Sequence, residues 1–329
     1  MRRTSSLRAA LTSSRPRRHN LVVTKLYFIL GCTACGKGAV GRTLARRIGG
    51  QIVSVDSMKI YRRMDNGTAK PIAEARREVP YHCIDIVEPN ESFSVAQYVE
   101  HADRAIQSIA SSSTVPLAIG GTSLYIKALS EGLFEGATGD PSVRASLRAL
   151  AAAEGLEKLH AELARIDPEA ARRIHPNDER RVIRALEVFQ TTGRPISSLQ
   201  KQWDSGTLRY DCAFIGLRRG REDISRRINA RTKRMMDLGL VDEVSALLGE
   251  PGGISDQAAQ AVGYAEIIAY LRGQCTLEQA IERIKVNTRH LAKKQRTWHR
   301  RWGDVRWFDL GPDDPPEATA ERIISEIAF

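Results

Sequence analysis

The chain has 329 residues, 42% of them hydrophobic, which is enough for one large core with a smaller domain attached. No apolar run approaches membrane-spanning length, and five cysteines in a chain this long do not make a secreted disulfide framework, so a reducing cytoplasm is the expected home. Residues 1–55 hold eleven Lys and Arg and no acid, which accounts for the whole formal net charge of +11; from Asp56 onward the charges cancel, and overall basicity alone does not argue for a nucleic-acid partner.

Residues 1–20 contain six Arg and no acid. Their composition resembles a mitochondrial transit peptide and equally suits a disordered basic leader; either way they lie outside the fold, and a mitochondrial location is the alternative to a cytoplasmic one. Leu26–Leu30 then reads as a buried strand. It feeds Gly31, Cys32, Thr33, Ala34, Cys35, Gly36 and Lys37, and Val40, Leu44 and Ile48 follow at helical spacing. A glycine-framed loop of this kind turns backbone N–H groups onto phosphate oxygens at the positive end of a helix, and its lysine adds a point charge. This is a P-loop in all but one residue. Gly38 stands where the pattern has Ser or Thr, whose hydroxyl is the usual Mg²⁺ ligand. Gly31 to Gly38 is read as a diphosphate site.

Ile52–Val55, Val115–Ile119 and Cys212–Leu217 read as three further strands, and their alternation with helical segments predicts a parallel α/β sheet. Ligands of such sheets gather beyond the carboxyl ends of the strands, so Gly31–Gly38, Asp56–Lys59 and Gly120–Thr122 should face one crevice. Between the third and fourth strands, Gly136 to Gly206 is rich in Ala, Leu, Glu and Arg with no convincing strand, and Asp140-Pro141 and Asp167-Pro168 read as helix starts. Ile224 to Trp302 is again helical, with a break at Glu250-Pro-Gly-Gly253. The expected fold is a P-loop NTPase-like parallel sheet core with a mostly helical insertion. Its parts are a basic leader over 1–20, the first part of the core over 21–135, the insertion over 136–206, and the rest of the core with C-terminal helices over 207–329.

Asp56-Ser-Met-Lys-Ile-Tyr-Arg62 and Met64-Asp-Asn-Gly-Thr-Ala-Lys-Pro71 resemble motifs of the tRNA dimethylallyltransferase family, also called tRNA isopentenyltransferase. The resemblance continues in order through Ile119-Gly-Gly-Thr-Ser-Leu-Tyr125, Asp167-Pro-Glu-Ala-Ala, Ile174-His-Pro-Asn-Asp178, Arg181-Val-Ile-Arg-Ala-Leu-Glu-Val188, Ala261-Val-Gly-Tyr264 and Ala292-Lys-Lys-Gln-Arg-Thr-Trp298. It spans residues 26 to about 308. It implies transfer of a dimethylallyl group from dimethylallyl diphosphate to the exocyclic amine of the adenosine 3′ of the tRNA anticodon, with Mg²⁺ as cofactor. Asp56 matches the family's general base and Thr33 its loop threonine, and Arg227 or Arg231 is the candidate basic group for the leaving diphosphate. RNA contact is implied for Asp56, Ser57, Met58, Lys59, Thr122, Arg144, for Arg180, Arg181, Val182, Ile183 and Arg184, and for Gln260, Ala261, Val262, Gly263, Tyr264 and Ala265. No membrane association is implied, and a monomer is expected.

The residues support that chemistry independently. An allylic diphosphate ionises readily once its leaving group is stabilised electrostatically. An adenine amine need lose its proton only as the C–N bond forms, which suits a carboxylate at the tip of the second strand. Asp56 could instead cap a turn or serve as a metal partner, and Thr122 could cap the helix that begins near Leu124. Residues 283–301 carry eight Lys and Arg and no acid, and Arg289, Lys293, Arg296 and Arg300 recur at helical spacing as a track for RNA phosphates. Trp298 and Trp302 share a face with Ile284 and Leu291 and read as core. Cys32 and Cys35 form a C-x-x-C pair with no second such pair, and are read as small packing residues. A P-loop kinase for a small molecule is the rival enzyme class, which Gly38 disfavours; a tRNA-binding relative without activity is the non-enzymatic rival, to which Cys32, Gly38 and Arg63 point.

Overall fold

The structure is a computed structural model that describes residues 24–133, 139–200, 206–300 and 302–329. The basic leader and the expected boundary at Gly136 lie outside these residues. Six parallel strands form one sheet: β1 (Lys25–Leu30), β2 (Gly50–Val55), β3 (Tyr81–His82), β4 (Val115–Gly120), β5 (Asp211–Arg219) and β6 (Val305–Leu310), in the order β3-β2-β4-β1-β5-β6. Helix α1 (Lys37–Ile48) leads from β1 to β2 on one side, and β5 leads to β6 on the other, so the sheet reverses direction beside the loop that follows β1.

Alternating residues of each strand explain the two cores. Leu26, Phe28 and Leu30 point to one face, where they meet Tyr98 of α3 (Val95–Ser111) and Ile126 of α4 (Ser123–Glu131) in one cluster. Tyr27 and Ile29 point to the other face and cluster with Val40 and Leu44 of α1. A short helix, α2 (Ala73–Glu78), precedes β3. Two strands were not read from the sequence, β3 and β6, and both are sheet edges. β3 is two residues long, and β6 leaves Arg306 and Asp309 exposed, so neither shows the continuous apolar run of a central strand.

Between β4 and β5 the chain forms α5 (Pro141–Glu154), α6 (Leu156–Ile166), α7 (Pro168–Arg173), α8 (Glu179–Thr192) and α9 (Ile196–Leu199). Asp140, Asp167 and Asp178 accept backbone N–H groups as N-caps of α5, α7 and α8. These helices enclose a core of their own, built on Leu147, Leu159, Leu163, Val182 and Leu186. Val182 and Ile183 are therefore interior residues at 0% and 3% exposure, which corrects their expected place on the RNA surface. On its return, the chain is anchored by Arg209, which donates its N–H to the Ser130 carbonyl at 2.7 Å and its guanidinium to Asp103.

The remaining helices are α10 (Arg221–Asp237), α11 (Leu240–Gly249), α12 (Asp256–Ala259), α13 (Tyr264–Leu271) and α14 (Leu277–His299), followed after β6 by α15 (Pro316–Glu326). Ala261 and Tyr264 are buried, and the Tyr264 hydroxyl donates to Glu243, so their side chains support α13 instead of facing RNA as expected.

The strand ends that carry the site meet closely. Gly120 pairs with Val55, and the N–H groups of Gly121 and Thr122 both donate to the Val55 carbonyl at 3.2 and 3.3 Å. A Cβ at Gly120 would lie 1.9 Å from that carbonyl oxygen, a contact that only backbone movement could relieve. Gly120→Ala should therefore destabilise the fold by about 3 kcal/mol or more, read from urea or thermal unfolding. Wild-type stability would show that the ends of β2 and β4 do not approach this closely.

Candidate active site and nucleic-acid face

The loop after β1 is curled by backbone conformations that side chains disfavour. Ala34 has φ 64° and Gly36 φ 100°. A Cβ at Gly31 would come within 2.5 Å of Cys35 Sγ, so the loop closes on itself only with glycine there. Its carbonyls are held from outside by two arginines. Arg227 of α10 donates through Nε to the Ala34 carbonyl at 3.0 Å, and Arg219 at the end of β5 donates to the Cys35 carbonyl at 2.9 Å. Arg219 is fixed in turn by Asp223 at 3.0 Å and by the Gly311 and Pro312 carbonyls. With those carbonyls taken, the N–H groups of Ala34, Gly36 and Gly38 have no acceptor among the described residues, the arrangement of an anion nest. Lys37 opens α1 and reaches the Cys32 carbonyl at 3.3 Å.

A third clamp comes from α14. Gln295 accepts the Thr33 N–H at 2.7 Å and donates to the Gly121 carbonyl at 2.9 Å, joining the loop to the tip of β4. A Cβ at Gly121 would lie 2.4 Å from the Gln295 amide nitrogen, so glycine is needed there too. Sequence reading assigned no role to Gln295 or Arg219. Both sit in runs rich in polar and basic residues, and each acts on a loop more than 180 residues away in the chain.

Across the crevice, Arg231 of α10 donates to Thr33 Oγ1 at 3.1 Å and to the Thr68 carbonyl at 3.5 Å, while its buried Nε has no partner among the described residues. Burial lowers the Arg231 pKa, against the pull of the Asp56 charge. Asp56 follows β2 directly. Its Oδ1 accepts the N–H groups of Met58 at 3.0 Å and Lys59 at 3.4 Å, and Oδ2 has no hydrogen bond among the described residues. The carboxylate thus braces its turn with one oxygen and leaves the other available. Thr122 does not cap α4; its hydroxyl accepts the Ser57 N–H at 3.0 Å and so joins the tips of β2 and β4. The structure therefore brings Thr33, Lys37, Arg227, Arg231, Asp56, Ser57 and Thr122 to one side of the sheet.

Beneath Asp56 the rings of Tyr98 and Tyr125 stack with centroids 4.0 Å apart, and the Tyr98 hydroxyl donates to the Ser54 carbonyl at 3.0 Å. Burial raises both phenol pKa values, and the buried Tyr125 hydroxyl, unlike that of Tyr98, has no partner among the described residues. Lys59 is half-buried, and burial holds its ammonium down to about 8. In the loop, a hydrogen bond from Cys32 brings Cys35 down to about 6, helped by the charges of Lys37 and Arg219, while the Cys32 thiol moves up.

Among the described residues no three His, Cys, Asp or Glu side chains gather into a metal-binding group. Position 38 offers no hydroxyl.

The basic residues divide by function. Arg144 and Arg184 both bind the fully buried Glu187, at 3.0 and 2.8 Å; Arg144 thereby ties α5 to α8, while Arg184 and Glu187 lie one turn apart on α8. Arg181 pairs with Asp178, and Arg180 reaches Gln260 at 3.5 Å, a link from the helical insertion to the core. On α14, Arg289 bonds Asn229 at 2.7 Å, and the charge of Arg296 is felt by Cys32 in the loop, while Lys293 and Arg300 are exposed. Trp298 and Leu291 are 38% and 37% exposed, which overturns their expected place in the core. The buried face of α14 runs instead through Ala280, Ile284, Ala292 and His299, one position beyond Leu291 and Trp298. Trp298 lines an open pocket of about 480 Å³ with His290, Lys293, Lys294 and Thr297. Trp302 is partly buried and stacks on Phe214. Below it lies buried His299, whose ring nitrogens have no partner among the described residues and whose pKa burial lowers to about 4.

Sheet order, glycine-framed loop, facing carboxylate and helical insertion define a P-loop NTPase-like α/β protein. The chain belongs to the IPP transferase family, whose model matches residues 59–302. It is 46% identical over 286 residues to the tRNA dimethylallyltransferase of Geobacter metallireducens, covering 87% of this chain and 93% of that one. Its identity to the tRNA dimethylallyltransferase of Bacillus licheniformis is 46% over 301 residues, with 91% and 95% covered. Among solved structures it is similar to the full-length tRNA isopentenylpyrophosphate transferase of Bacillus halodurans, with TM-score 0.66, 40% identity, and 92% and 96% of the two chains covered. It is also similar to a eukaryotic dimethylallyltransferase acting on tRNA, with TM-score 0.76, 26% identity, and 92% and 79% covered.

Lys293 and Arg300 are the exposed members of the α14 track. Replacing both with alanine should weaken RNA binding and reduce the slope of log affinity against log salt by about one unit per lost contact. An unchanged slope would mark this face as ordinarily solvated.

Proposed function

We propose that the chain transfers a dimethylallyl group from dimethylallyl diphosphate to the exocyclic amine of the adenosine 3′ of the anticodon in tRNA, releasing diphosphate. The observation that carries this reading is the pairing of an anion nest, at Ala34, Gly36 and Gly38, with a carboxylate at the tip of β2, across the intervening β4, that keeps one oxygen free. The nest, Lys37 and Arg231 suit the charge that develops on the leaving diphosphate as the allylic C–O bond breaks. The amine lone pair forms the new C–N bond, and the proton it sheds passes to Asp56 Oδ2. Thr33, whose hydroxyl oxygen accepts from Arg231, keeps its own O–H to donate to substrate.

The target base has to leave its stack to reach this depth, and the insertion helices with the exposed end of α14 offer the basic surface to hold the rest of the anticodon arm. A monomer supplies all of these elements. The five cysteines are free thiols, in keeping with a reducing compartment, and among the described residues no helix is long and apolar enough to cross a membrane. Mg²⁺ is proposed to arrive on the diphosphate, held by its oxygens and water.

Incubation with labelled dimethylallyl diphosphate, Mg²⁺ and an anticodon stem-loop should place label in the RNA. RNA binding without incorporation would contradict the reading. Asp56→Asn keeps an oxygen for the Met58 and Lys59 N–H groups but cannot take the proton, so turnover should fall ~100-fold or more with RNA affinity unchanged within a few fold. Near-normal turnover would remove Asp56 from the mechanism.

A Cβ at Gly38 meets nothing within 4 Å. Gly38→Thr should therefore fold normally, and should lower the Mg²⁺ concentration that gives half-maximal rate by restoring a hydroxyl at the loop. Superimposable Mg²⁺ titrations would show that position 38 does not contribute to metal use.

A further inference from the structure

Arg231 is the basic group that meets Thr33, and its direction is set by two acceptors, Thr33 Oγ1 at 3.1 Å and the Thr68 carbonyl at 3.5 Å. An arginine side chain is long, and its guanidinium plane keeps one aim only where acceptors fix it. Whatever holds the Thr68 carbonyl therefore helps to build the crevice. Residues 64–70 form a tight double turn: the Ala69 and Lys70 N–H groups donate to the Asn66 and Asp65 carbonyls, both at 3.1 Å, and Thr68 Oγ1 donates to the Met64 carbonyl at 2.7 Å. One brace of this turn is the buried Lys70 ammonium, which holds the Tyr61 carbonyl at 2.6 Å, Asp65 at 2.6 Å and Asp85 at 2.7 Å.

The other brace is Glu243 of α11. Its Oε2 accepts the N–H groups of Asn66 at 2.9 Å and Asp65 at 3.2 Å, and its Oε1 accepts the Tyr264 hydroxyl. Gly67 lies against the same tyrosine, since a Cβ there would come within 2.3 Å of the Tyr264 ring. All three donors are neutral, so what the carboxylate supplies to them is reach and direction. From Glu243 the contacts run through the Asp65–Thr68 backbone to Arg231 and end at Thr33 in the loop.

We infer that Glu243 is a positioning residue for the transfer: by holding Asp65, Asn66 and Tyr264 together it sets the turn whose Thr68 carbonyl aims Arg231 at the leaving diphosphate. This rests on the diphosphate-dependent transfer proposed above. Glu243 touches no reacting atom and exchanges no proton. In the transfer the C–O bonding pair leaves with the diphosphate oxygen, and Glu243 acts on that step only through where Arg231 stands.

The test, on the full-length protein, combines steady-state kinetics with dimethylallyl diphosphate and an anticodon stem-loop and calorimetric titration of inorganic diphosphate in Mg²⁺. Glu243→Ala should lower both kcat/KM for dimethylallyl diphosphate and diphosphate affinity about tenfold, with RNA affinity within about threefold of wild type. Glu243→Asp keeps the charge but withdraws the carboxylate by one methylene, and should lose nearly as much. Glu243→Gln gives up the charge but keeps an oxygen at the same reach, and should recover most of both. In an Arg231→Gln background, Glu243→Ala should cost less than about twofold further, because the residue through which it acts is gone. Thermal melting establishes that each variant is folded, and the contrast between Glu243→Asp and Glu243→Gln decides the matter if Glu243→Ala does not fold. Equal losses in both backgrounds, Glu243→Asp near wild type beside an impaired Glu243→Gln, or a loss confined to RNA affinity would each overturn the inference. A wild-type protein that neither binds diphosphate nor transfers the group would overturn the proposed function itself, a separate outcome.

Discussion

The crevice depends on keeping loop carbonyls turned outward so that loop N–H groups face inward. A curled backbone with left-handed Ala34 and Gly36 does not hold this shape alone, because each unpartnered peptide group favours relaxation toward an internal hydrogen bond. Arg227 on Ala34 and Arg219 on Cys35 remove that option from the outside. Gln295 fixes the near end of the loop against the tip of β4. Three elements far apart in sequence thus preorganise one short segment, and charge stabilisation at a preorganised site avoids reorganisation at the moment of reaction.

The same economy governs Asp56 and its surroundings. The β2 and β4 ends are held in contact through Gly120 and Val55, and Thr122 closes the turn over Ser57. One carboxylate oxygen is committed to this scaffold and the other is not. A carboxylate mounted this way has a fixed direction, which suits the proposed acceptor of a proton shed only as a bond forms. In the insertion, Glu187 plays the corresponding scaffolding part: fully buried, it aligns Arg144 and Arg184 on neighbouring helices and so fixes the direction of their partly exposed guanidinium groups.

Much of this was legible in the sequence because it depends on local pattern. Four central strands carry continuous apolar runs, the loop has its glycines and lysine in consecutive positions, and Asp-Pro pairs mark helix starts that the structure caps with Asp140 and Asp167. What escaped reading depends on distance or on edges. Nothing local distinguishes Gln295 or Arg219 from other polar residues, and Glu187 looks like an ordinary helical acid until its burial is seen. β6 is half-exposed, and Trp298 sits one position off the buried face of α14 that ends at His299. The family resemblance marks the segments expected to meet RNA only as stretches, while the structure separates inward Val182, Ile183, Ala261 and Tyr264 from outward neighbours.

The most direct test of the account is a crystal structure of the protein with an unreactive thiolodiphosphate analogue of the allylic substrate and an anticodon stem-loop. The account predicts the diphosphate oxygens within hydrogen-bonding distance of the Ala34, Gly36 and Gly38 N–H groups, and an adenine amine about 3 Å from the free oxygen of Asp56. A diphosphate bound outside the loop, or an adenine amine on the far side of the Asp56 turn, would contradict it.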